Sequence, residues 1–297
     1  MKKRLLKPVV TNEKIIAATA ILLALFIFGF WRIIIFKNTQ PVSLSLSIPV
    51  QKHETLPENP SPSVKNATKK IPILMYHHIG PIPENADQLK KGLSISETDF
   101  ELQVAWLHGQ GYQSLTLNQL LEKLKKNEPL PEKPVIFTFD DGYDDTLIYA
   151  PKILKNYGFT GDFAIITQFV GISLGNNSYA SWQDIKTAKL AGMEIISHTQ
   201  DHFDGTNKKY TDIFISNNLK NSQKDIQDNL GKTFPILIYP YGHFDDRYIK
   251  LAQEAGFEMG ITTIEGQTIN THELMTIPRM RVNGGISLEK FKKIFIE

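Results

Sequence analysis

Short apolar runs alternate with amphipathic helical patterns along the chain from Ile71 onward, and this alternation predicts repeated βα units. The predicted strands are Ile71–Tyr76, Gln113–Thr116, Val135–Phe139, Asp162–Ile166, Glu194–Ser197, Ile236–Tyr239, Glu258–Thr262 and Met275–Ile277. The predicted helices follow Ser96 and Ser181 and cover Leu117–Lys126, Thr146–Tyr157, Asp212–Asn229, Asp245–Ala255 and Ser287–Ile296. Seven or eight such units in about 227 residues favour an α/β fold in which a parallel sheet closes, or nearly closes, into a barrel.

The first part of the chain has a different pattern. Residues Ile15–Phe36 are apolar apart from Arg32, and as a helix they would span about 33 Å, enough to cross a bilayer. Residues 1–14 form a basic tail, which favours a cytoplasmic N-terminus. We therefore expect an uncleaved transmembrane signal anchor in the cell membrane. The alternative is a cleaved signal peptide, although no small-residue cleavage site follows Phe36.

Residues 37–70 are rich in proline and serine, contain no glycine, and have no sustained helical or strand periodicity. This composition is typical of an extended tether, so we expect an extracytoplasmic linker there. The remaining residues, 71–297, then form one domain outside the cell membrane.

Composition narrows the chemistry of that domain. The chain has no cysteine, which excludes disulfides, thiolate metal sites and a cysteine nucleophile. Its formal net charge of +2 gives no reason to expect nucleic acid as a partner. No Gly-x-Gly-x-x-Gly or P-loop pattern follows a predicted strand, so nucleotide-binding folds lose their main support.

Polar side chains stand where four predicted strands end, and in a barrel those ends meet at one mouth. These polar segments are Tyr76-His77-His78, Asp140-Asp141, His198 with His202, and Tyr239-Pro240-Tyr241-Gly242. An isolated Asp-Asp-Gly or a single histidine is more often a turn or a structural residue. Four such segments at one mouth predict a catalytic site instead.

Two imidazoles and a carboxylate suit a catalytic divalent metal ion, because they leave positions for water and substrate. His198, His202 and Asp141 are the predicted ligands, and this donor set accepts zinc, cobalt, nickel or iron alike. Such an ion lowers the pKa of its water, and Asp140 would take the proton as general base. If the bond that is hydrolysed is an amide, the amine that leaves needs a proton from an acid. His77 is the predicted acid, with His78 as the alternative.

The same residues resemble the polysaccharide deacetylase family, carbohydrate esterase family 4. The resemblance is carried by Thr138-Phe139-Asp140-Asp141-Gly142, Ser197-His198-Thr199-Gln200-Asp201-His202, Tyr239-Pro240-Tyr241-Gly242 and the opening Ile71-Pro72-Ile73-Leu74-Met75-Tyr76-His77-His78. The opening segment is similar to the branch that includes the poly-β-1,6-N-acetylglucosamine deacetylases of biofilm export. The similarity covers about residues 71 to 285.

The resemblance implies a (β/α)7-type barrel, distorted or incomplete, which removes N-acetyl groups from a glycan with one divalent metal ion. It implies Asp140 as base and a backbone N–H of Tyr241 at the oxyanion. Two departures stand out. The arginine usual in the third motif is missing, so Arg279 or Arg281 would replace it. The late Leu-x-His acid is missing as well, which again points to His77.

Three functions are consistent with these features. We expect a membrane-anchored deacetylase that acts on an extracellular polymer, poly-N-acetylglucosamine, with the machinery of polysaccharide synthesis or export as a candidate partner. The alternative substrates are peptidoglycan and chitooligosaccharides. The third hypothesis, a catalytically silent glycan-binding domain, would not need Asp140 beside a metal site.

Overall fold

The structure is a computed structural model, and it describes residues 68–295. The predicted basic tail, the predicted anchor at residues 15–36 and the predicted linker up to residue 67 lie outside the described residues. Within residues 68–295, no helix combines the length and the apolar character that crossing a membrane requires. The last three residues of the predicted linker form a strand, Thr68–Lys70.

Fourteen strands and eight α-helices make up the described chain. The strands are β1 Thr68–Lys70, β2 Ile73–Tyr76, β3 His78–Ile79, β4 Ser94–Ile95, β5 Gln113–Ser114, β6 Pro134–Phe139, β7 Asp162–Ile165, β8 Ser173–Leu174, β9 Asn177–Ser178, β10 Glu194–Ser197, β11 Ile236–Ile238, β12 Met259–Glu265, β13 Thr268–Asn270 and β14 Ile277–Arg281. The helices are α1 Gln88–Leu93, α2 Glu97–Gly109, α3 Leu117–Lys125, α4 Asp144–Asn156, α5 Trp182–Leu190, α6 Asp212–Leu230, α7 Asp246–Glu254 and α8 Leu288–Lys293.

Seven parallel strands form a closed barrel in the order β2, β14, β12, β11, β10, β7 and β6. The ring closes where β2 pairs with β6, with Ile73 opposite Ile136 and Tyr76 opposite Phe139. Strand β5 extends the sheet beyond β6 and takes no part in the ring. The predicted (β/α)7-type barrel is therefore confirmed, and its ring is complete.

Helix α3 covers the amino end of the barrel. Its apolar residues Leu117, Leu120 and Leu121 belong to the same buried cluster as the inward-facing barrel residues Ile73 and Ile136. The helix begins with a capping box in which Thr116 and Gln119 bond each other's backbone N–H groups. The amphipathic pattern predicted this helix but not its position, because periodicity shows which face is buried and not what buries it.

The last barrel strand begins later than predicted. Met275 lies in the 3₁₀ turn Leu274–Thr276, and β14 runs on through Pro278, Arg279 and Arg281. Proline is rare inside a sheet because it donates no ladder hydrogen bond, and charged side chains rarely face a core. Pro278 and the two arginines are therefore unusual in a barrel strand. Even so, β14 lies between β12 and β2 in the closed ring.

Two carboxyl groups lie inside the amino end of the barrel, next to the start of α3. Asp162 and Glu194 are Cα partners on β7 and β10, and Asp162 Oδ2 accepts the N–H of Leu117 at 3.0 Å. Burial raises the pKa of both carboxyls, and the charge of Glu194 raises that of Asp162 further. Asp162 Oδ1 and Glu194 Oε2 are buried without a hydrogen-bond partner among the described residues.

Replacing Asp162 by Asn should stabilise the protein at alkaline pH. A carboxyl whose pKa is raised by folding contributes its full stability below its unfolded pKa near 4, and that contribution is lost as pH rises through the raised value. Asp162→Asn keeps an acceptor for Leu117 and removes the charge. We expect its free energy of unfolding to exceed that of the parent by more than about 1 kcal/mol at pH 8, and by less at pH 5.

Denaturant unfolding at both pH values measures this difference. The exposed Glu84 supplies the matched control, since Glu84→Gln removes a charge at the surface and should leave the free energy of unfolding close to that of the parent at both pH values. If the free energies of unfolding of the parent and of Asp162→Asn changed with pH in parallel, ionisation of the Asp162–Glu194 pair would not be the cause of the pH dependence.

Candidate active site

The polar segments that follow β2, β6 and β10 meet at the carboxyl end of the barrel. Asp140 directly follows β6, and its N–H donates to the carbonyl of Tyr76 at 2.9 Å, which continues the pairing of β2 with β6. His198 directly follows β10, and its N–H donates to Ile165 on β7 at 3.0 Å. The sheet thus fixes the backbone of these residues independently of their side-chain contacts.

Asp141, His198 and His202 offer three ligand atoms within 4.8 Å of one another. Asp141 Oδ1 lies 3.2 Å from His198 Nε2 and 3.5 Å from His202 Nε2. His198 Nδ1 lies 2.8 Å from the carbonyl of Ile238, a contact that requires an N–H at Nδ1, so that in the neutral ring the Nε2 lone pair is free for a metal ion. Two nitrogen donors and one carboxylate fit a divalent ion, so these three residues can hold one.

The segments after β6, β10 and β11 contain backbone conformations that are unusual for side-chain-bearing residues. Of five non-glycine residues with positive φ within residues 68–295, four are at this site: Asp141 at 74°, Thr199 at 68°, His202 at 58° and Tyr241 at 60°. Such conformations cost about 1 kcal/mol or more each and persist where the surrounding structure enforces them. On α6, Asn218 holds the loop after β10 by accepting from Gln200 N at 2.8 Å and donating to Asp201 at 2.8 Å.

Asp140 forms a buried, bidentate ion pair with Arg279 of β14. The two N–H···O distances are both 2.7 Å, and Arg279 also donates to Thr138 Oγ1 at 2.9 Å and to the carbonyl of Thr262 at 2.8 Å. Arg279 is fully buried. Of the two arginines considered from the sequence, Arg279 is thus the partner of Asp140, whereas the described contacts of Arg281 include no ion pair.

Opposing effects set the charge of each group in this site. Burial alone would raise the pKa of Asp140 and Asp141, but Arg279 lowers the first, and His198 with the other imidazoles lowers the second. Burial would lower the pKa of His198, yet its contact with Asp141 raises it. Burial and the neighbouring His198 lower the pKa of His202 to about 4. Both carboxyls are therefore ionised and His202 is neutral near pH 7, as ligation of a cation requires.

The two neighbouring histidines His77 and His78 have different surroundings. His77 is half-buried at the mouth, and burial lowers its pKa against the opposing charges of Asp141 and Asp140. His78 is buried, with Nδ1 at 2.8 Å from Asp145 and its ring stacked on Tyr143 at 3.8 Å. His77 therefore shares the mouth with both aspartates, whereas His78 contacts the start of α4.

Aromatic residues border the candidate metal site. The exposed ring of Tyr241 lies 4.6 Å from the ring of His202, between β11 and α7. Tyr143 is buried beside Asp141, and burial raises its pKa well above the ordinary value. Trp182 packs against the apolar cluster of the outer helices, so its contacts are those of a core residue.

Comparisons with known proteins agree with this geometry. The family model described as polysaccharide deacetylase matches residues 127–260. YxkH of Bacillus subtilis (strain 168), assigned to the polysaccharide deacetylases by name, is 31% identical over 222 residues, which cover 75% of this chain and 75% of that protein. The chain belongs to the polysaccharide deacetylase family. As a member of this family it is a hydrolase, a deacetylase.

Two further relatives extend the comparison. The poly-beta-1,6-N-acetyl-D-glucosamine N-deacetylase of Staphylococcus aureus (strain N315) is 29% identical over 201 residues, covering 65% of this chain and 69% of that protein. The Streptococcus pyogenes deacetylase PplD, solved in complex with acetate, superimposes with a TM-score of 0.67 at 26% identity, covering 76% of this chain and 98% of that chain.

The sequence motifs of this polysaccharide deacetylase family member identified Asp140, Asp141, His198 and His202 as site residues. They did not identify two residues that lie next to these, Arg279 and Tyr143. Arg279 was one of two candidates because no motif marks it. Tyr143 has no sequence signal for a role at the site beyond its place directly after Asp140-Asp141-Gly142. Arg279 meets Asp140 only when the barrel closes, whereas Tyr143 follows Asp141 by two positions in the sequence.

Removing Arg279 should destabilise the fold, because Asp140 would remain buried without its partner. Loss of one member of a buried ion pair typically costs about 3–5 kcal/mol, whereas replacing both members can be nearly neutral. We expect Arg279→Met to lose stability in that range, and Asp140→Asn combined with Arg279→Met to recover more than half. Arg281→Met, two residues along β14, should change stability by about 0.5 kcal/mol or less.

Urea unfolding of the two single variants, the double variant and the control gives the coupling energy. Purely additive losses at Asp140 and Arg279 would contradict a direct ion pair between them.

Proposed function

We propose that this chain hydrolyses the N-acetyl groups of poly-β-1,6-N-acetylglucosamine, outside a membrane to which residues 15–36 anchor it. The observation that carries the proposal is the oriented Asp140 beside the three ligand atoms of Asp141, His198 and His202. The named activity of the Staphylococcus aureus relative supports the substrate. The basic tail and the apolar segment support the location, with polysaccharide synthesis or export machinery as the candidate partner.

The proposed reaction needs a base, an acid and a donor to the acetyl oxygen. A divalent ion held by Asp141, His198 and His202 would polarise the acetyl carbonyl and lower the pKa of water. Asp140 takes a proton from the attacking water, while Arg279 keeps the carboxylate ionised and fixes its orientation. The backbone N–H of Tyr241 donates to the acetyl oxygen as negative charge develops there.

His77 completes the proposed reaction on the leaving side. Water adds to the carbonyl carbon, the carbon–nitrogen bond breaks, and the amine nitrogen takes a proton from the imidazolium. The products are acetate and a free amino sugar. Burial lowers the pKa of His77, which makes its imidazolium a stronger acid toward the amine.

Acetate release from a panel of glycans tests the proposed function directly. The purified full chain is supplied in turn with zinc, cobalt, nickel and iron(II), and is given poly-N-acetylglucosamine, peptidoglycan or chitooligosaccharides. We expect most acetate from poly-N-acetylglucosamine and about one bound ion per chain. Asp140→Asn should keep the ion but lose on the order of 10² or more in rate, whereas Asp141→Asn should weaken ion binding.

Each other outcome corrects a defined part of the proposal. Acetate mainly from peptidoglycan or chitooligosaccharides would replace the substrate but keep the reaction. An ion-loaded chain that binds glycans and releases no acetate would instead be a binding domain. Equal loss of the ion in the two aspartate variants would contradict their separate roles.

Replacing His77 by Ala should separate amide from ester substrates. An amine is a poor leaving group unless it is protonated, whereas an activated aryl acetate departs with little help. We expect His77→Ala to keep its ion and to lose about 10² in turnover of N-acetylglucosamine oligomers, with a much smaller loss on aryl acetate. His272→Ala, in an exposed loop, is the matched histidine control and should behave as the parent. Equal losses on both substrates would remove His77 from the acid role.

A further inference from the structure

His77 lies in the break between β2 and β3, so no strand pairing fixes its side chain. Its imidazole makes no side-chain hydrogen bond with the described residues, and the charges that act on it include those of Asp141, Asp140 and Arg279. Charges at a distance do not select one side-chain direction. The position of this ring therefore depends on how firmly the backbone at His77 is held.

The hydroxyl of Thr146 holds that backbone on both sides. Thr146 Oγ1 donates to the carbonyl of His77 at 2.5 Å and accepts the N–H of Ile79 at 3.2 Å. Thr146 is 1% exposed and lies in the first turn of α4, the helix that follows Asp140 and Asp141. One hydroxyl thus joins the segment of the proposed acid to the helix that starts beside the proposed base.

Asp145 supports the same contact from the neighbouring position. Its Oδ1 accepts the N–H of Thr146 at 2.7 Å, and its Oδ2 lies 2.8 Å from His78 Nδ1. The residue at the cap position of α4 is Tyr143, and it makes no side-chain cap bond. Asp145 is therefore directed at the His78 ring as well as at its own helix.

The segment after His77 also lies closely against α4. Gly80 has φ of 146°, and a Cβ there would come within 2.8 Å of the Tyr149 ring. A side chain at position 80 would push the segment away from the helix. Gly80, Thr146 and Asp145 thus fasten the chain from His77 to Gly80 at three successive points.

We propose that Thr146 and Asp145 are positioning residues for the reaction, which hold the His77 imidazole toward the departing amine. This inference rests on the proposed function, since it needs His77 as the acid. A purely structural role for the two residues would stabilise α4 and affect every substrate alike. A positioning role instead affects the step that needs the acid, so turnover of amides falls while KM changes little.

The test compares Thr146→Val with Thr146→Ser in the full chain. Valine keeps the shape of threonine and removes the hydroxyl, whereas serine retains the hydroxyl. We expect Thr146→Val to lose about ten- to a hundredfold in kcat on N-acetylglucosamine oligomers, the cost of a misplacement of about 1 Å. Its loss on aryl acetate should be several times smaller, and Thr146→Ser should stay within about threefold of the parent on both.

Thr116→Val is the control for lost stability, because Thr116 is 2% exposed and caps α3 at the opposite end of the barrel. It should lower Tm and leave the ratio of amide to ester rates unchanged. If Thr146→Val does not fold, Asp145→Ala provides the same comparison and should lose amide turnover selectively.

The outcomes separate the two levels of the proposal. A parent chain that releases no acetate from any N-acetylated glycan would overturn the proposed function and this inference with it. An active parent with equal amide and ester losses in Thr146→Val, or without recovery in Thr146→Ser, would overturn the positioning role alone.

Discussion

The pairing of β2 with β6 closes the barrel, and it also places the two halves of the proposed chemistry side by side. Because Tyr76 is opposite Phe139, the residues that follow each strand, His77 on one side and Asp140 with Asp141 on the other, come out at the same height of the mouth. The bond from Asp140 N to Tyr76 O extends that pairing by one residue. The strand pairing that closes the ring therefore also brings His77 next to Asp140 and Asp141.

The charge balance of the mouth follows from the same closure. Asp140 and Asp141 are adjacent and buried, which would raise the pKa of both if nothing opposed it. Strand β14 brings Arg279 to one carboxylate, and the loop after β10 brings two imidazoles to the other. Each aspartate thus has its own partner, a guanidinium or a pair of imidazoles, and the separate roles proposed for them rest on these separate partners rather than on the shared motif.

Much of this arrangement could be predicted from the sequence because its residues directly follow apolar runs. Asp140 follows a six-residue strand and His198 follows a four-residue strand, so the apolar pattern of each strand predicted their place at its end. Arg279 could not be placed in this way, since it lies inside a strand interrupted by proline and flanked by charge. The hydroxyl of Thr146 was equally hidden, because its contact with His77 spans 69 positions.

Helix α3 has a consequence for how small molecules travel through this enzyme. Leu117, Leu120 and Leu121 close the amino end with side chains packed against the barrel interior. Because the interior is filled at that end, the acetyl group of a substrate would enter and acetate would leave at the carboxyl end, the face on which a polymer would lie. A long glycan lying there would shield the exit of acetate, and movement of the polymer along the mouth would open that route before the next N-acetyl group is removed.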